Sequence, residues 1–153
     1  MRPSWDEYFM SVVDAISMRG TCDRGRPGAV LVRDNQILAT GYAGSPAGLP
    51  HCHEVGHLIH KVVYEDGTVR EHCRRTTHAE MNAIIQAARN GVSTLDSTLY
   101  TTMEPCMDCA KALINAGIKK VVARNRYHGA ELTREWFEKL GIQLVVLEDR
   151  ELY

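Results

Sequence analysis

The sequence predicts an α/β fold in which helices cover both faces of a mixed five-stranded sheet. Segments with helical spacing of apolar residues alternate with short apolar strands, in the order α-β-β-α-β-α-β-α-β. The first two strands are close enough to form a hairpin, and helices separate the later ones. The 153 residues are 44% apolar and 24% charged, so we expect one domain over residues 1–153 with a substantial core.

The first helix begins with a capping-box pattern, since Ser4 is followed three residues later by Glu7. Helical spacing then continues through Trp5, Phe9, Val12, Val13 and Ile16. Residues 29–32 and 37–42 are the next apolar runs, and Asp34-Asn35 between them is a turn sequence. This part of the chain therefore predicts a helix followed by a β-hairpin.

Residues 43–76 are rich in glycine, proline and histidine and have no clear periodicity, so we expect a long irregular insertion that needs an anchor. Apolar residues at helical spacing resume at Met81 and stop at Gly91, and a strand is predicted at 98–102. A third helix is predicted from Cys106 to Gly117, followed by a strand at 119–124. The last helix ends at Gly141, before a strand at 143–147.

Composition excludes several classes of protein. The formal net charge is -1, whereas proteins that hold DNA or RNA polymers are usually basic. The charged N-terminus is unlike a signal peptide, and the longest apolar runs are far shorter than a membrane span, so we expect a cytoplasmic protein without a membrane partner. Five cysteines, an odd number, do not suggest a disulfide framework and leave free thiols, metal ligands or a nucleophile.

Two helix starts carry the residues that suggest chemistry. Cys106 and Cys109 are three residues apart, so their sulfurs share one face of a helix, and the helix dipole favours their thiolates. Together with the imidazole of His78 they would form a Cys₂His zinc site with a fourth position left for water, as in catalytic sites. Glu80 would then be the nearby base.

Simpler interpretations account for these residues separately. Thr77 and Glu80 alone could form a capping box, and Cys-x-x-Cys alone could be a redox pair. The redox reading explains neither His78 nor Glu80. On an ideal helix His78 and Glu80 lie about 200° apart. Both therefore reach one pocket only if His78 lies at the very start of the helix, where the capping box would put it.

His-x-Glu followed by Pro-Cys-x-x-Cys is the signature of zinc nucleobase deaminases, and both halves are unbroken here. In that chemistry zinc activates a water that attacks the carbon bearing the exocyclic amine, while a carboxylate moves protons. Glu80 would have the carboxylate role. Because it is not a ligand, its loss should stop turnover and leave zinc bound.

Nearly the whole chain resembles the deoxycytidylate (dCMP) deaminases, particularly bacterial members associated with late competence operons. The narrowing segments include Ser4-Trp-Asp-Glu-Tyr8 and Gly48-Leu-Pro-His-Cys52. The resemblance implies the three-layer α/β/α cytidine deaminase fold and hydrolysis of dCMP to dUMP and ammonia, which feeds thymidylate synthesis. It also implies a hexamer regulated by dCTP and dTTP, with magnesium accompanying the allosteric nucleotide.

The resemblance further implies a second, structural zinc, because some relatives anchor the irregular region in this way. Its ligands here would be Cys22, Cys52 and Cys73, with His57 where a fourth cysteine is expected. The alternative is three buried free cysteines. Four other histidines are rival ligands, namely His51, His53, His60 and His72.

Substrate contacts are also implied by the resemblance, at Arg24, Arg26 and Tyr127. An arginine suits a 5′-phosphate because its planar fork donates two parallel hydrogen bonds. Relatives commonly have Gly-Tyr-Asn-Gly where this chain has Gly41-Tyr-Ala-Gly44, so a contact to the sugar is missing at Ala43. The alternatives are a deaminase of another cytosine nucleotide, a nucleoside or a tRNA base, or a noncatalytic module that binds zinc or nucleotides.

Overall fold

The computed structural model describes residues 1–22 and 25–151. Its helices are α1 (Trp5–Ser17), α2 (Cys52–Val55), α3 (Ala79–Arg89), α4 (Met107–Asn115) and α5 (Glu131–Leu140). Its strands are β1 (Gly28–Arg33), β2 (Gln36–Tyr42), β3 (Ile59–Val63), β4 (Val69–Cys73), β5 (Thr98–Met103), β6 (Lys120–Asn125) and β7 (Gln143–Val146).

The main sheet has five strands in the order β2-β1-β5-β6-β7. Strand β1 is antiparallel to both β2 and β5, whereas β5, β6 and β7 are parallel. The hairpin supplies the antiparallel part, and the helical crossovers α4 and α5 supply the parallel part. The mixed five-stranded sheet predicted from the sequence is therefore confirmed.

Alternate residues of the central strands separate two cores. Ala29 and Leu31 of β1 pack with the apolar stripes of α3, α4 and α5, while Val30 and Val32 pack with α1 on the opposite face. Side chains of successive strand residues point to opposite faces, so a strand buried on both sides must be apolar throughout. The fold thus has three layers, with α1 on one side of the sheet and α3, α4 and α5 on the other.

Two local predictions are confirmed. The Ser4 hydroxyl accepts a hydrogen bond from the Glu7 amide at 3.2 Å, and the Glu7 carboxylate accepts one from the Ser4 amide at 2.7 Å, completing the capping box of α1. Asp34 and Asn35 have φ values of 53° and 57°, the left-handed conformation that a tight β1–β2 turn needs. Short polar residues tolerate this conformation better than branched ones do.

Residues 43–76 are more regular than the sequence predicts. They contain the short helix α2 and a two-stranded hairpin, β3–β4, which stands apart from the main sheet. The hairpin turns at Gly67, which has a φ of 84°. Its strands are mostly exposed and do not alternate apolar with polar residues, so the periodicity that reveals a half-buried strand is missing.

Gly41 lets α3 pack unusually close to β2. A Cβ atom at Gly41 would lie 2.2 Å from the Ala79 carbonyl oxygen and 2.5 Å from the Ala83 amide nitrogen. A glycine is therefore needed here for the first turns of α3 to rest on the strand. Within the described ranges, no helix combines the length and the apolar character needed to cross a membrane.

Candidate active site

His78 lies at the N-cap of α3, immediately before the first helical residue, with extended backbone at φ -65° and ψ 152°. The predicted Thr77–Glu80 capping box is wrong, because His78 is the N-cap and its side chain makes no capping bond. The Glu80 carboxylate instead turns toward β5. The prediction that His78 precedes the regular helix is confirmed, although the capping box is not the cause.

Cys106 and Cys109 occupy the corresponding end of α4. Cys106 is the N-cap, and Cys109 lies in the first turn of the helix. Residues at these two positions share one face, and the unpaired amides and dipole of the helix end favour negative charge on them. The start of α4 follows β5 of the main sheet, and the start of α3 packs closely against β2 of the same sheet, so the main core fixes their positions.

The structure brings His78, Cys106 and Cys109 together as a three-donor cluster. His78 Nδ1 lies 3.5 Å from Cys106 Sγ and 3.4 Å from Cys109 Sγ. Tetrahedral zinc with its usual bond lengths holds nitrogen and sulfur donors about 3.5 to 3.8 Å apart. The spacing and the chemistry of these donors therefore fit zinc, with one coordination position not supplied by the cluster.

Glu80 lies beside the three-donor cluster and is almost completely buried, with 5% of its surface exposed. The buried Thr101 hydroxyl donates a hydrogen bond of 3.0 Å to Glu80 Oε1, and Glu80 Oε2 lies 3.7 Å from Cys109 Sγ. Burial raises the pKa of Glu80, because removing the carboxyl group from water disfavours its charged form. Glu80 is thus held in place, in surroundings that favour its protonated form.

The two sulfurs of the cluster are electrostatically unequal. A hydrogen bond from Cys109 lowers the pKa of the Cys106 thiol to about 4, with a further contribution from His78. The pKa of Cys109 is raised by its hydrogen bond with Cys106 and by burial. The hydrogen bond with Cys106 likewise raises the pKa of His78 to about 9. Metal binding requires both thiolates and a neutral imidazole, and so would displace the shared protons.

A cavity of about 600 Å³ opens above Glu80 and the three-donor cluster. This volume is within the range typical of small-ligand sites. Its wall includes Ala43 and Tyr127, together with Arg70 and His72 of the β3–β4 hairpin. A hydrogen bond links the β3–β4 hairpin to the segment after β6, since the hydroxyl groups of Tyr64 and Tyr127 are 2.8 Å apart.

The predicted substrate contacts differ in where they lie. Tyr127 lines the cavity, whereas Arg26 is exposed and is not among the lining residues, although its neighbours Gly25 and Pro27 are. Arg24 is outside the described residues. Arg70 was missed by the sequence analysis because it belongs to the hairpin that was predicted as irregular.

Cys22, Cys52, His57 and Cys73 form a second, four-donor cluster. Cys22 Sγ is 3.6 Å from His57 Nδ1, and Cys52 Sγ is 3.6 Å from Cys73 Sγ. These distances also fit tetrahedral zinc, here with all four positions supplied by protein. His51, His53, His60 and His72 do not belong to this group of donors.

The thiols of the four-donor cluster are perturbed in opposite directions. Burial raises the pKa of Cys52 to about 12, and contacts with neighbouring thiols add to this shift. Burial also acts to raise the pKa of Cys73, but hydrogen bonds with the Arg75 and Leu58 backbone outweigh it and lower the pKa to about 6. Cys73 is therefore the sulfur of this pair that ionises more readily.

Residues 3–125 match the family model for the cytidine and deoxycytidylate deaminase zinc-binding region. The chain belongs to the cytidine and deoxycytidylate deaminase family. It is 40% identical over 151 residues to ComE operon protein 2 of Bacillus subtilis, a match that covers 99% of this chain and 75% of that protein. It is 37% identical over 126 residues to the deoxycytidylate deaminase of Mycobacterium phage D29, covering 79% and 94% of the two chains.

The fold is also similar to that of a solved dCMP deaminase. The crystal structure of dCMP deaminase from the cyanophage S-TIM5, in complex with dCMP and dUMP, aligns with a TM-score of 0.74 and 30% identity, covering 99% of each chain. The cytidine deaminase-like fold expected from the sequence is therefore confirmed. Family membership, together with the Cys and His donor clusters, identifies the metal of this family as zinc.

Proposed function

We propose that this protein catalyses the zinc-dependent hydrolysis of dCMP to dUMP and ammonia. The observation that carries the proposal is a buried carboxyl group, Glu80, beside three zinc-type donors at the base of a 600 Å³ cavity. Relatives named deoxycytidylate deaminase and a similar structure that holds dCMP and dUMP support this choice of substrate. The product dUMP is the precursor for thymidylate synthesis.

In this proposal His78, Cys106 and Cys109 hold the zinc. Zinc supplies, when bound, a water nucleophile that is active near neutral pH. Glu80 accepts a proton from the attacking water and delivers it to the ring nitrogen next to the reacting carbon. It then carries the second proton to the departing amine, so that water and dCMP become dUMP and ammonia.

The surroundings of Glu80 support this role in proton transfer. Its raised pKa makes the carboxylate a stronger proton acceptor than an exposed glutamate would be. The Thr101 hydroxyl holds one oxygen of the carboxyl group, which limits its rotation. A carboxyl group with a tuned pKa and a fixed orientation meets both requirements of a general acid–base catalyst.

Tyr127 is proposed to contact the nucleotide, since it lines the cavity. Arg24 and Arg26 are proposed to recognise the 5′-phosphate, a role suggested by the family resemblance and by the lining positions of Gly25 and Pro27. Ala43 is buried in the cavity wall at the position where relatives commonly have asparagine. The substrate is therefore expected to be held with one fewer polar contact than in those relatives.

Cys22, Cys52, His57 and Cys73 are proposed to hold a second, structural zinc. These residues join the segment before β1 to α2 and to the end of β4. A two-stranded hairpin is marginally stable alone, so an anchor of this kind would fix β3–β4 over the cavity. A fully protein-ligated site suits that structural role, because no position is left for substrate or water.

Three further features follow the family resemblance and complete the proposal. We infer a cytoplasmic enzyme, because its substrate belongs to the intracellular nucleotide pool and all five cysteines are free thiols. We also infer a hexamer regulated by dCTP and dTTP, with magnesium accompanying the allosteric nucleotide. Light-scattering mass, measured alone and with each nucleotide, tests assembly; a monomer under every condition would refute the hexamer.

The decisive experiment measures ammonia release by the zinc-loaded protein from dCMP, CMP, deoxycytidine and cytidine, with and without dCTP. Glu80→Ala, with a zinc assay, is the control for catalysis. We expect dCMP to be deaminated most efficiently and the variant to be inactive with zinc retained. If another cytosine compound is preferred, the substrate is wrong; if none reacts although zinc is bound, a tRNA base or a noncatalytic module becomes the better explanation.

A further inference from the structure

Glu104 is a buried charge that the proposed reaction does not use. It lies in the connection between β5 and α4, two residues before Cys106, and only 1% of its surface is exposed. It also lines the cavity. A buried carboxylate is costly unless it is paired and hydrogen-bonded, so the contacts of this side chain indicate its purpose.

Those contacts come mainly from Arg134, in the first turn of α5. Arg134 Nε donates to Glu104 Oε2 at 2.8 Å, and Arg134 Nη2 donates to Glu104 Oε1 at 2.6 Å. The arginine fork therefore engages both carboxylate oxygens, which fixes orientation as well as distance. A lysine could neutralise the charge but could not reproduce this geometry.

Glu104 and Arg134 also hydrogen-bond to the backbone amide and the backbone carbonyl of Tyr127. The Tyr127 amide donates to Glu104 Oε1 at 3.0 Å, and Arg134 Nη2 donates to the Tyr127 carbonyl oxygen at 3.2 Å. Tyr127 is part of the cavity wall, whereas no residue of α5 lines the cavity in the described part of the chain. Helix α5 thus acts on the cavity through this pair.

A second contact joins α5 to the segment that carries Cys106. The Thr133 hydroxyl donates to the Pro105 carbonyl oxygen at 2.8 Å, immediately before Cys106. The Glu104 amide also donates to the Asn125 carbonyl oxygen at 3.0 Å, which joins the β5–α4 connection to the end of β6. The two segments that carry Cys106 and Tyr127 are therefore tied to each other and to the start of α5.

We propose that Glu104 and Arg134 are a positioning pair that sets the location of the Cys106 donor relative to the Tyr127 wall of the cavity. Both carboxylate oxygens of Glu104 are engaged by Arg134 and the Tyr127 amide, so we assign the pair no part in proton transfer. It acts by holding the two segments at a fixed separation, so it controls how firmly the three-donor cluster holds zinc and how well the cavity fits its substrate. The substrate part rests on the proposed deaminase function; the metal part does not.

The test compares Arg134→Lys, which keeps the charge but loses the fork, with Lys139→Gln on the exposed side of the same helix. Zinc release to a chelator is followed with time, and Cys106→Ala identifies the phase that belongs to the three-donor cluster. We expect Arg134→Lys to speed that phase about tenfold or more. Loss of a group that orients a metal ligand commonly weakens metal binding by about this factor. We also expect a lower kcat and a raised KM for dCMP, whereas Lys139→Gln should match the parent protein.

A purely structural salt bridge predicts something different. If Arg134→Lys only lowers the melting temperature, while zinc release, kcat and KM of the folded protein are unchanged, the proposal is overturned. Should Arg134→Lys fail to fold, Glu104→Gln/Arg134→Met removes both charges together and so avoids an unpaired buried carboxylate. Faster zinc release from this folded double variant supports the proposal, and a parental rate overturns it.

Failure of the proposed function would give a separate result. In that case the parent protein would release no ammonia from dCMP. Zinc release from the three-donor cluster would still differ between Arg134→Lys and the parent if the pair positions Cys106. The metal measurement and the activity measurement therefore test the two proposals independently.

Discussion

The two donor clusters use the same residue types but are built differently. His78, Cys106 and Cys109 lie at the starts of two regular helices that pack on the central sheet. Cys22, Cys52, His57 and Cys73 come from loops, a one-turn helix and the end of an exposed strand. The main core supports the three-donor cluster, whereas the four-donor cluster must itself hold together segments that have little core.

The clusters also differ in what surrounds them. The three-donor cluster lies beside the buried Glu80 carboxyl group, while the four-donor cluster offers four donors from protein. Residues of both clusters line the cavity. Three protein donors with an adjacent proton carrier are typical of a catalytic zinc site, and four protein donors are typical of a structural one. The comparison teaches that the number of donors and the group beside them, more than the donor types, distinguish the two proposed metal sites.

The sharpest distinction between the clusters is Glu80. We expect Glu80→Gln to lower kcat for dCMP about 10³-fold or more, because the amide cannot carry protons, while both zinc ions remain bound. Ammonia release and metal content check this. Glu135→Gln, an exposed glutamate on α5, is the matched control and should be fully active. Substantial activity in Glu80→Gln would remove the chemical difference between the clusters.

Removing one thiol from each cluster tests their contrasting roles. We expect Cys52→Ala to lose one zinc and to destabilise the protein by about 4 kcal/mol or more, a fall in melting temperature of about 10 °C. Cys106→Ala should lose one zinc and all activity with a much smaller thermal shift, because the core still holds α3 and α4. Calorimetry with metal analysis measures both. Equal thermal shifts would contradict the proposed division of roles.

Gly41 tests whether the three-donor cluster depends on close packing of the sheet and α3. We expect Gly41→Ala to cost about 1–3 kcal/mol, because its methyl group would overlap the first turns of α3, and to weaken zinc binding at His78. The four-donor cluster should keep its zinc. Gly44→Ala is the matched control, since the nearest atom there is 3.4 Å away. Loss of zinc from both clusters equally would show that they are not independent.

The smallest expected effect concerns Ala43, which lines the cavity but belongs to neither donor cluster. Ala43→Asn restores an amide at the position where relatives commonly have one. One additional hydrogen bond is worth about 1 kcal/mol, so kcat/KM for dCMP should rise about fivefold with no change in zinc content. Steady-state kinetics measures this, with cytidine as the comparison substrate. A decrease in kcat/KM would mean that this cavity is shaped for alanine.

Much of the fold could be predicted because its signals are local. The Ser4–Glu7 capping box, the Asp34-Asn35 turn and the apolar spacing of the long helices all depend on neighbours in sequence. The β3–β4 hairpin was missed because its strands are exposed and bury no continuous face. The supposed capping role of Glu80 was wrong because its hydrogen-bond partner, Thr101, lies 21 residues away on β5 and not in the same helix turn.

The sequence by itself determined the family and the types of donor, because the His-x-Glu and Pro-Cys-x-x-Cys spacings need only a helix start to be meaningful. Only the tertiary structure decided which groups meet. It joined four donors spread over residues 22–73 into one cluster, directed Glu80 toward Thr101, and paired Glu104 with Arg134 thirty residues away. Spacing along a chain fixes local geometry, whereas contacts across it depend on how the sheet and helices pack.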